Sequence, residues 1–304
     1  MSPATTLPQR VWGNAYLLLI LTTLMWGGNA VASRLAVGQI SPMALTSLRW
    51  VFVCAILPLM LRRELKHYAP VLLAHRWRII TLGALGFTVF NALMYLAAYS
   101  TTAINIGILQ GSIPVYVLIG AFIAYRTPIG WMQAIGVAVT MLGVLVTASR
   151  GDFATLANFS FVPGDVWMII GCVFYAGYTV GIRARPAVPG LVFFTAMAIV
   201  AGIVSLPLLG LEIWNGSIIW PTLEGWAILA FVVIGPSLLS QLFFLRAVEL
   251  IGPGRAGVFV NLVPVFAPML AVLILGEHLA LYHGLALALV LGGIWIAEHR
   301  AARA

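Results

Sequence analysis

Charged residues are scarce in this sequence. Of its 304 residues, 8% are Asp, Glu, Lys or Arg, whereas 62% are hydrophobic, and the mean hydropathy is +1.07. A soluble core of this length could not hide so much apolar surface, which predicts a polytopic membrane protein. The net charge of +8 would indicate nucleic-acid binding in a soluble protein. In a membrane protein we expect the basic residues to set topology, with no nucleic-acid partner.

Lysine and cysteine are almost missing as well. Lys66 is the only lysine, so the chain has no Gly-x-x-x-x-Gly-Lys loop with which to use ATP directly. Cys54 and Cys172 lie in apolar runs and are expected to be buried free thiols. The sequence predicts no metal site and no cofactor.

Acidic residues and histidine are absent from the middle of every apolar run. An intramembrane protease needs a nucleophile with a histidine base, so this absence predicts that the protein is not an enzyme. It also leaves no evident proton relay. Glu249 and Glu277, which lie near the ends of apolar runs, are the remaining candidates for coupling transport to protons.

Long apolar runs are what the sequence has in quantity. A transmembrane helix needs about 20 predominantly apolar residues. Ten such spans are predicted, at 14–35, 41–61, 77–99, 102–125, 129–148, 165–183, 190–211, 226–247, 256–275 and 280–298. The predicted fold class is therefore an all-α integral membrane protein with ten transmembrane helices.

The basic residues favour one orientation. With ten spans both termini lie on the same side of the membrane, and a cytoplasmic placement puts most basic residues inside, as the positive-inside rule requires. The residues placed inside are Arg10, Arg62, Arg63, Lys66, Arg76, Arg78, Arg126, Arg183, Arg185, Arg246, Arg255, Arg300 and Arg303. Only Arg34 and Arg150 fall outside. We expect a multi-pass protein of the cytoplasmic (inner) membrane with both termini cytoplasmic.

The two halves of the chain resemble each other. Gly107 aligns with Gly257, and Pro114 with Pro264, at a spacing of 150 residues. Because five spans is an odd number, the second repeat must enter the membrane from the opposite side, and inverted repeats favour transport by alternating access. The predicted organisation is a cytoplasmic segment 1–13, a first five-helix repeat 14–148, an external linker 149–164, a second five-helix repeat 165–298 and a cytoplasmic tail 299–304.

Two spans are interrupted in matching positions. The predicted helix-breaking residues are Gly107, Pro114, Gly257 and Pro264. Gln110 and Asn261 lie on the same helix faces as these breaks. Broken helices in corresponding positions of two repeats indicate a substrate site. Close packing of helices through small residues is the alternative interpretation.

Other spans carry aromatic and amide side chains that are expensive to expose to lipid. With Gln110 and Asn261, the candidate substrate-binding residues are Trp26, Asn29, Asn91, Tyr95, Tyr99, Tyr175, Tyr178 and Gln241. Aromatic faces with hydrogen-bonding tips suit a small, partly aromatic or amphipathic solute. Ordinary helix packing, or an interfacial position for Tyr99, is the competing interpretation.

Arg49 is a charge within the second span, about 12 Å along the helix. An intramembrane charge is a candidate functional residue. It could bind a substrate carboxylate, bind backbone carbonyls or extend outward to the membrane surface.

The whole chain resembles the ten-helix EamA-type members of the drug/metabolite transporter superfamily. The residues that carry the resemblance are Leu24-Met-Trp26-Gly27-Gly28-Asn29, Leu48-Arg49-Trp50, Pro264, Leu275-Gly276-Glu277 and Gly284. The first half departs from the family at Tyr125-Arg126-Thr127, where Leu-Gly-Glu is common. Arg49 recurs at this place in the family, which favours a structural role for it.

The resemblance implies a secondary transporter. The length and the Tyr95/Tyr99 pair are similar to those of bacterial exporters of aromatic and other neutral amino acids. We therefore expect an exporter of amino acids or similar small metabolites that works by alternating access as a monomer in contact with membrane lipid. A nucleotide-sugar or organophosphate exchanger of the same fold, a lipid flippase or membrane enzyme, and a channel are the alternatives.

Overall fold

The structure, a computed structural model, describes residues 11–158 and 161–298. All regular structure in these two ranges is helical. The helices are α1 (Ala15–Leu35), α2 (Pro42–Met60), α3 (Arg62–Ala74), α4 (Arg76–Ala97), α5 (Ala103–Tyr125), α6 (Trp131–Ser149), α7 (Phe153–Ala157), α8 (Pro163–Ile182), α9 (Gly190–Trp214), α10 (Leu223–Ile251), α11 (Arg255–Leu275) and α12 (Leu281–Glu298). Both cytoplasmic segments of the predicted organisation lie largely outside the described ranges.

Nine helices of the described chain are long and apolar enough to cross a membrane, and the apolar stretch Leu281–Ala297 is a shorter tenth. The prediction of an all-α membrane protein of about ten helices is confirmed. Helices suit this setting because they satisfy every backbone donor and acceptor within the segment. Side-chain caps mark the starts of several spans, including Asn14 for α1 and Thr102 for α5.

Two helices were not anticipated from hydropathy. The helix α3 has no buried residue and carries Arg62, Arg63 and Lys66, so its composition is too polar to register as a span. The five-residue α7 lies in the connection between the halves. Neither changes the number of membrane crossings.

Helices of the first half pack on helices of the second. The α2 helix packs on α9, α6 on α12, and α5 on α11. The α1 helix packs on α10 and α11, and α8 packs on α4 and α5. The helices α2, α5 and α6 each pack on the helix at the same position of the second half. The helices α1 and α4 instead pack on each other's counterparts, which are α10 and α8, so the halves form one interleaved bundle.

Several helices deviate from α-geometry, and most of the deviations occur in matching places of the two halves. The exception is a π turn at Ala271–Leu275 in α11, where α5 stays α-helical. A π-helical turn spans Ala84–Val89 in α4, and another spans Val233–Leu239 in α10. The α5 helix is interrupted after Gln110, where Gly111 and Ser112 donate to carbonyls three residues back. In α11 a 3₁₀ turn occupies Val260–Leu262. Pro114 and Pro264 each lie in the first turn of the segment that follows, where a missing N–H is tolerated.

The two ends of the bundle differ in packing. We call them the Glu212 end and the Tyr125 end after residues of α9 and α5. At the Glu212 end residues 103–109 of α5 are all buried, whereas at the other end residues 122–126 are all exposed. In α11 residues 257 and 258 are exposed, but 263, 264, 267 and 268 are buried. The contact between α5 and α11 is made mainly by residues 103–110 and 263–270, so these two helices meet at the Glu212 end and diverge toward the Tyr125 end.

Candidate functional site

A buried hydrogen-bonded network lies at the centre of the bundle. Arg49 of α2 is 5% exposed, and its Nε donates to Ser237 Oγ at 2.6 Å. Its Nη1 donates to Asn91 Oδ1 at 2.6 Å and to Tyr95 Oη at 2.8 Å. The Tyr95 hydroxyl in turn donates to Asn29 Oδ1 at 3.4 Å. Four helices, α1, α2, α4 and α10, meet in this network.

The π-helical turns supply carbonyls to the network. A π turn shifts backbone bonding to residues five apart, and Phe90 accordingly donates to the carbonyl of Leu85. The Phe87 carbonyl then accepts from Asn91 Nδ2 and from Trp50 Nε1, the latter at 3.2 Å. In α10 the Ser237 hydroxyl donates to the Val232 carbonyl at 2.7 Å. The local distortion of each helix thus orients a partner of Arg49.

Arg49 has no carboxylate partner among the residues that the structure describes. The side chains it bonds are neutral, and its guanidinium carbon lies 5.1 Å from the Trp50 ring centroid. Neutral oxygens and an aromatic face stabilise a guanidinium without cancelling its charge. The network therefore concentrates positive potential in the membrane interior.

A cluster of aromatic rings extends from this network to α8. Trp50 stacks on Phe87 at 4.8 Å between ring centroids, and Phe87 packs against Tyr178 at 5.3 Å. Tyr178 lies 5.2 Å from Tyr175, which packs on Phe90 at 4.7 Å. Tyr175 and Tyr178, two of the candidates predicted from the sequence, therefore lie beside the Arg49 network.

The hydroxyls of Tyr175 and Tyr178 are the polar atoms of the aromatic cluster on α8. Neither makes a hydrogen bond to any described residue, and neither is among the polar atoms sealed from solvent. Gln241 of α10 is also half-buried and makes no side-chain hydrogen bond within the described chain. Tyr175, Tyr178 and Gln241 thus have polar groups without a hydrogen-bond partner among the described residues.

The remaining candidates surround this region at different depths. Trp26 is half-buried, and its ring lies 5.6 Å from that of Phe244. Gln110 is half-buried at the interruption of α5, where its amide donates to the Ile106 carbonyl at 3.3 Å. Asn261 is half-buried in the 3₁₀ turn of α11.

Tyr99 lies apart from the other candidates. The α4 helix ends at Ala97, so Tyr99 falls in the turn beyond it and is 44% exposed at the Glu212 end. Partial burial, followed by the nearby Glu212 charge, raises the pKa of its phenol. Spacing by four residues from Tyr95 would have kept it on the same face only if the helix had continued.

The glycines Gly107 and Gly257, predicted as helix breakers, lie in different surroundings. A Cβ on Gly107 would lie 2.4 Å from the Ala267 Cβ, so this glycine permits close packing of α5 on α11. A Cβ on Gly257 would have no neighbour within 4 Å. The difference follows from the separation of the helices at the Tyr125 end.

The two acidic residues predicted as candidates for proton coupling lie outside the Arg49 network. Glu277 accepts from the backbone N–H groups of Ala103 and Ile104, at 2.9 and 3.0 Å, and so caps α5. Glu249 is exposed and pairs with Arg246 at 3.0 Å. Neither belongs to the central network.

Three polar residues that hold the helices together were not predicted from the sequence. Ser237 gave no indication of its role beyond following Gly235-Pro236. Glu212 caps α2 by accepting from Ser41 Oγ and from the N–H groups of Met43 and Ala44. Asp165, in the first turn of α8, is fully buried. An acidic residue at a span boundary is ordinary in a sequence, and only the packing distinguishes a buried one.

Comparisons with known proteins agree on the class of protein. A model of the EamA-like transporter family matches residues 13–149 and 162–297. The uncharacterized transporter YyaM of Bacillus subtilis is 25% identical over 94% of this chain and 93% of its own. The uncharacterized transporter YetK of the same organism is 22% identical over 93% of this chain and 86% of its own. A solved crystal structure with 20% identity covers 95% of this chain and 98% of the other at a TM-score of 0.64, and so shares the fold.

Proposed function

The chain belongs to the EamA-like transporter family, and from this premise we propose that it exports aromatic and other neutral amino acids, or similar small metabolites. A multi-pass membrane transporter is the coarser statement on which the proposal builds. The proposed site lies between Tyr175 and Tyr178 of α8 and Gln241 of α10, above the Arg49 network. In this assignment the protein is a secondary transporter and not an enzyme.

The free tyrosine hydroxyls carry this proposal. Tyr175 and Tyr178 present aromatic faces and unbonded hydroxyls to the same region. A ring-bearing solute gains from offset or edge-on aromatic contacts, and its polar end gains hydrogen bonds from the hydroxyls and the Gln241 amide. The uncompensated charge of Arg49 adds a field that attracts a carboxylate, while its buried position favours attraction through the network over direct contact.

The same features weigh against a phosphate-bearing substrate. A sugar nucleotide or organophosphate carries at least two negative charges, and its transporters would need accessible cations to meet them. Arg49 is the only basic residue in the central network, and its Nε and Nη1 are already bonded to neutral side chains.

Alternating access is the proposed mechanism. Matched π turns, matched interruptions and the reciprocal pairing of α1 with α10 and α4 with α8 support two inverted repeats. Contact of α5 with α11 at the Glu212 end and their divergence at the Tyr125 end support an inward-facing state in the proposed orientation, in which the Tyr125 end, rich in basic residues, is cytoplasmic. We propose that the protein acts as a monomer in the cytoplasmic membrane, with both termini cytoplasmic and lipid around it.

Flux measured in proteoliposomes tests the substrate class. The panel contains labelled aromatic amino acids, aliphatic neutral amino acids, nucleotide sugars and phosphate esters, each with and without a proton gradient. We expect saturable, stereoselective amino acid flux. Absence of any saturable amino acid flux would overturn the proposal, and flux of phosphate esters alone would favour the exchanger.

Removing single hydroxyls tests the site. Tyr175→Phe and Tyr178→Phe keep the ring packing, and each should lower kcat/KM for aromatic amino acids about two- to tenfold, the worth of one hydrogen bond. Tyr16→Phe is the matched control, because Tyr16 is 55% exposed on α1. Unchanged kcat/KM in both α8 variants would show that the solute binds elsewhere.

A further inference from the structure

Asp165 is a buried carboxylate that the proposed transport site does not use. It lies in the first turn of α8 at the Glu212 end and is 0% exposed. Thr101 Oγ1 donates to its Oδ1, and Asn105 Nδ2 donates to Oδ1 and Oδ2 at 3.2 and 3.4 Å. Both partners are neutral, and Asp165 forms no ion pair with any residue in the described ranges.

The packing around Asp165 is tight. A Cβ on the preceding Gly164 would lie 2.4 Å from the Ala97 carbonyl oxygen and 2.9 Å from the Thr101 nitrogen. The start of α8 therefore rests directly on the turn after α4, with no room for a hydration shell. Asn105 is also 0% exposed, and its Oδ1 is buried without a hydrogen-bond partner.

Few charges surround this carboxylate. Arg150, at the end of α6, is the charged group whose field reaches Asp165. Tyr282 of α12 lies within the fields of both Asp165 and Arg150, and it also faces Glu277. His283, the next residue of α12, is 4% exposed, lies in the field of Arg150 and packs against the Tyr282 ring, and is the other titratable side chain on this side. Arg34 of α1 holds the other side of the same turn by donating to the Ala98 carbonyl at 2.5 Å. The α4 and α5 residues that touch Asp165 contribute no charge.

We propose that Asp165 is a proton-binding site that takes up one proton from the adjoining solution when the Glu212 end closes, and returns it when that end opens. The inference rests on the alternating access proposed above. An ionised carboxylate moved from water into a fully buried site loses its hydration, and two neutral donors replace only part of it. The first turn of α8 and Arg150 favour the charged form and set the pH at which uptake occurs.

This site makes closure depend on pH. Closure binds a proton, so it is favoured at low pH, and the open state gains as the pH of the solution at the Glu212 end rises. The proton enters and leaves on the same side, so the site gates the transporter without itself carrying protons across. Asp165 can therefore regulate opening although the described chain has no chain of acidic residues that would conduct protons through the membrane.

The accessibility of a cysteine placed deeper in the bundle than the Glu212 end measures this closure directly. Gln110→Cys, in a Cys54→Ala/Cys172→Ala background, is labelled with a membrane-impermeant maleimide from the Glu212 side across a range of pH. The rate is divided by that of Asn215→Cys, an exposed site at the same end, to remove the pH dependence of the thiol reaction itself. We expect the ratio to rise with pH by up to about tenfold per unit, as one-proton linkage allows.

Two substitutions decide the assignment. Asp165→Asn should make the ratio independent of pH, whereas Asp152→Asn, on the exposed connection, should keep the parental dependence. Should Asp165→Asn fail to fold, Thr101→Val removes one donor to the carboxylate and should move the midpoint of the curve to higher pH. A ratio that is flat in the parent, or equally pH-dependent in Asp165→Asn, would overturn the proposal.

The readout requires no substrate. Loss of the proposed amino acid flux would therefore leave the proton site testable. Conversely, amino acid flux with pH-independent accessibility would remove only the proton site.

Discussion

At the scale of single residues, Arg49 illustrates how a charge is held inside a membrane protein. Its bonds reach two other helices, α4 and α10, and the planar guanidinium directs Nε and Nη1 to separate partners. The cost of burying it is offset by hydrogen bonds to Ser237, Asn91 and Tyr95 and by the Trp50 ring. Arg49 thus stabilises the helix arrangement that positions the proposed site.

Arg49→Lys should be strongly destabilising although it keeps the charge. An ammonium cannot reach Ser237 and the Asn91/Tyr95 pair with the same fork geometry, so at least one buried polar group loses its partner at about 1–3 kcal/mol. Thermal unfolding of the detergent-purified protein, followed by size-exclusion chromatography, measures the change. Arg183→Lys is the control, because exposed Arg183 mainly packs on Tyr125. Equal unfolding midpoints for the two variants would contradict a bonding role for the guanidinium.

At the scale of helices, the C-terminal residues of α5 and α11 show how the two halves have diverged. The α5 helix ends with Arg126 at φ 54°, and α11 ends with Gly276 at φ 66°, both left-handed. Glycine adopts this conformation without strain, whereas a side chain costs about 1 kcal/mol. The first repeat therefore keeps the left-handed backbone conformation of the second, but it has arginine where the second has glycine.

Arg126→Gly should raise the stability of the protein by about 0.5–1 kcal/mol, because the left-handed strain is relieved and an exposed side chain is lost. Gly276→Ala should lower it by about the same amount through the backbone alone, since a Cβ there would have no neighbour within 4 Å. The unfolding midpoints should move in opposite directions. A fall in both would mean that the Arg126 side chain contributes more than its conformation costs.

Glu277 gives the Glu212 end a helix cap that the other end lacks. It accepts two backbone N–H bonds from α5, whereas Thr127, 150 residues earlier, is bonded by Arg183 Nη1 at 3.5 Å. Glu277→Ala leaves two N–H groups unpaired and should destabilise the protein by about 1–2 kcal/mol. Glu249→Ala removes only an exposed ion pair and should cost less than about 1 kcal/mol. Chemical denaturation of both variants in one detergent measures the difference, and similar losses would show that the cap is not stabilising.

Hydropathy predicted the helices well because a bilayer imposes its thickness on every span. The first span was predicted at 14–35 and is found at Ala15–Leu35. The eighth was predicted at 226–247, but it runs to Ile251 because a helix continues through the polar Glu249 once it leaves the membrane. The π turn of α10 contains Pro236, whose missing N–H interrupts the α-helical bonding, whereas the π turn of α4 contains no proline. Hydropathy alone locates neither turn. The partners of Arg49 depend on those turns, so candidate residues could be named from the sequence but not how they are bonded.

At the scale of the whole molecule, α6 and α12 form a pair beside the central helices and pack mainly on each other. Their contact is made at small residues: a Cβ on Gly136 would lie 2.5 Å from the Gly293 carbonyl oxygen. One on Gly143 would lie 2.8 Å from Val290. Because each of the two helices belongs to a different repeat, this contact joins the halves at a place remote from the proposed site.

Substitution of two adjacent glycines of α12 distinguishes the effect of packing on stability from the effect of helix propensity. A Cβ on Gly293 would lie 2.3 Å from Thr140 Oγ1 and 2.6 Å from the Gly136 carbonyl, whereas one on Gly292 would meet nothing within 4 Å. Gly293→Ala should therefore destabilise the protein by about 1–3 kcal/mol through overpacking. Gly292→Ala should stabilise it by about 0.5 kcal/mol, because alanine loses less backbone freedom in a helix. Shifts of the unfolding midpoint in opposite directions, together with unchanged tyrosine-site kinetics in the Gly292 variant, would establish that the α6–α12 contact stabilises the packing of the two halves. A neutral Gly293→Ala would show that this contact accommodates an added methyl group and is not tightly packed.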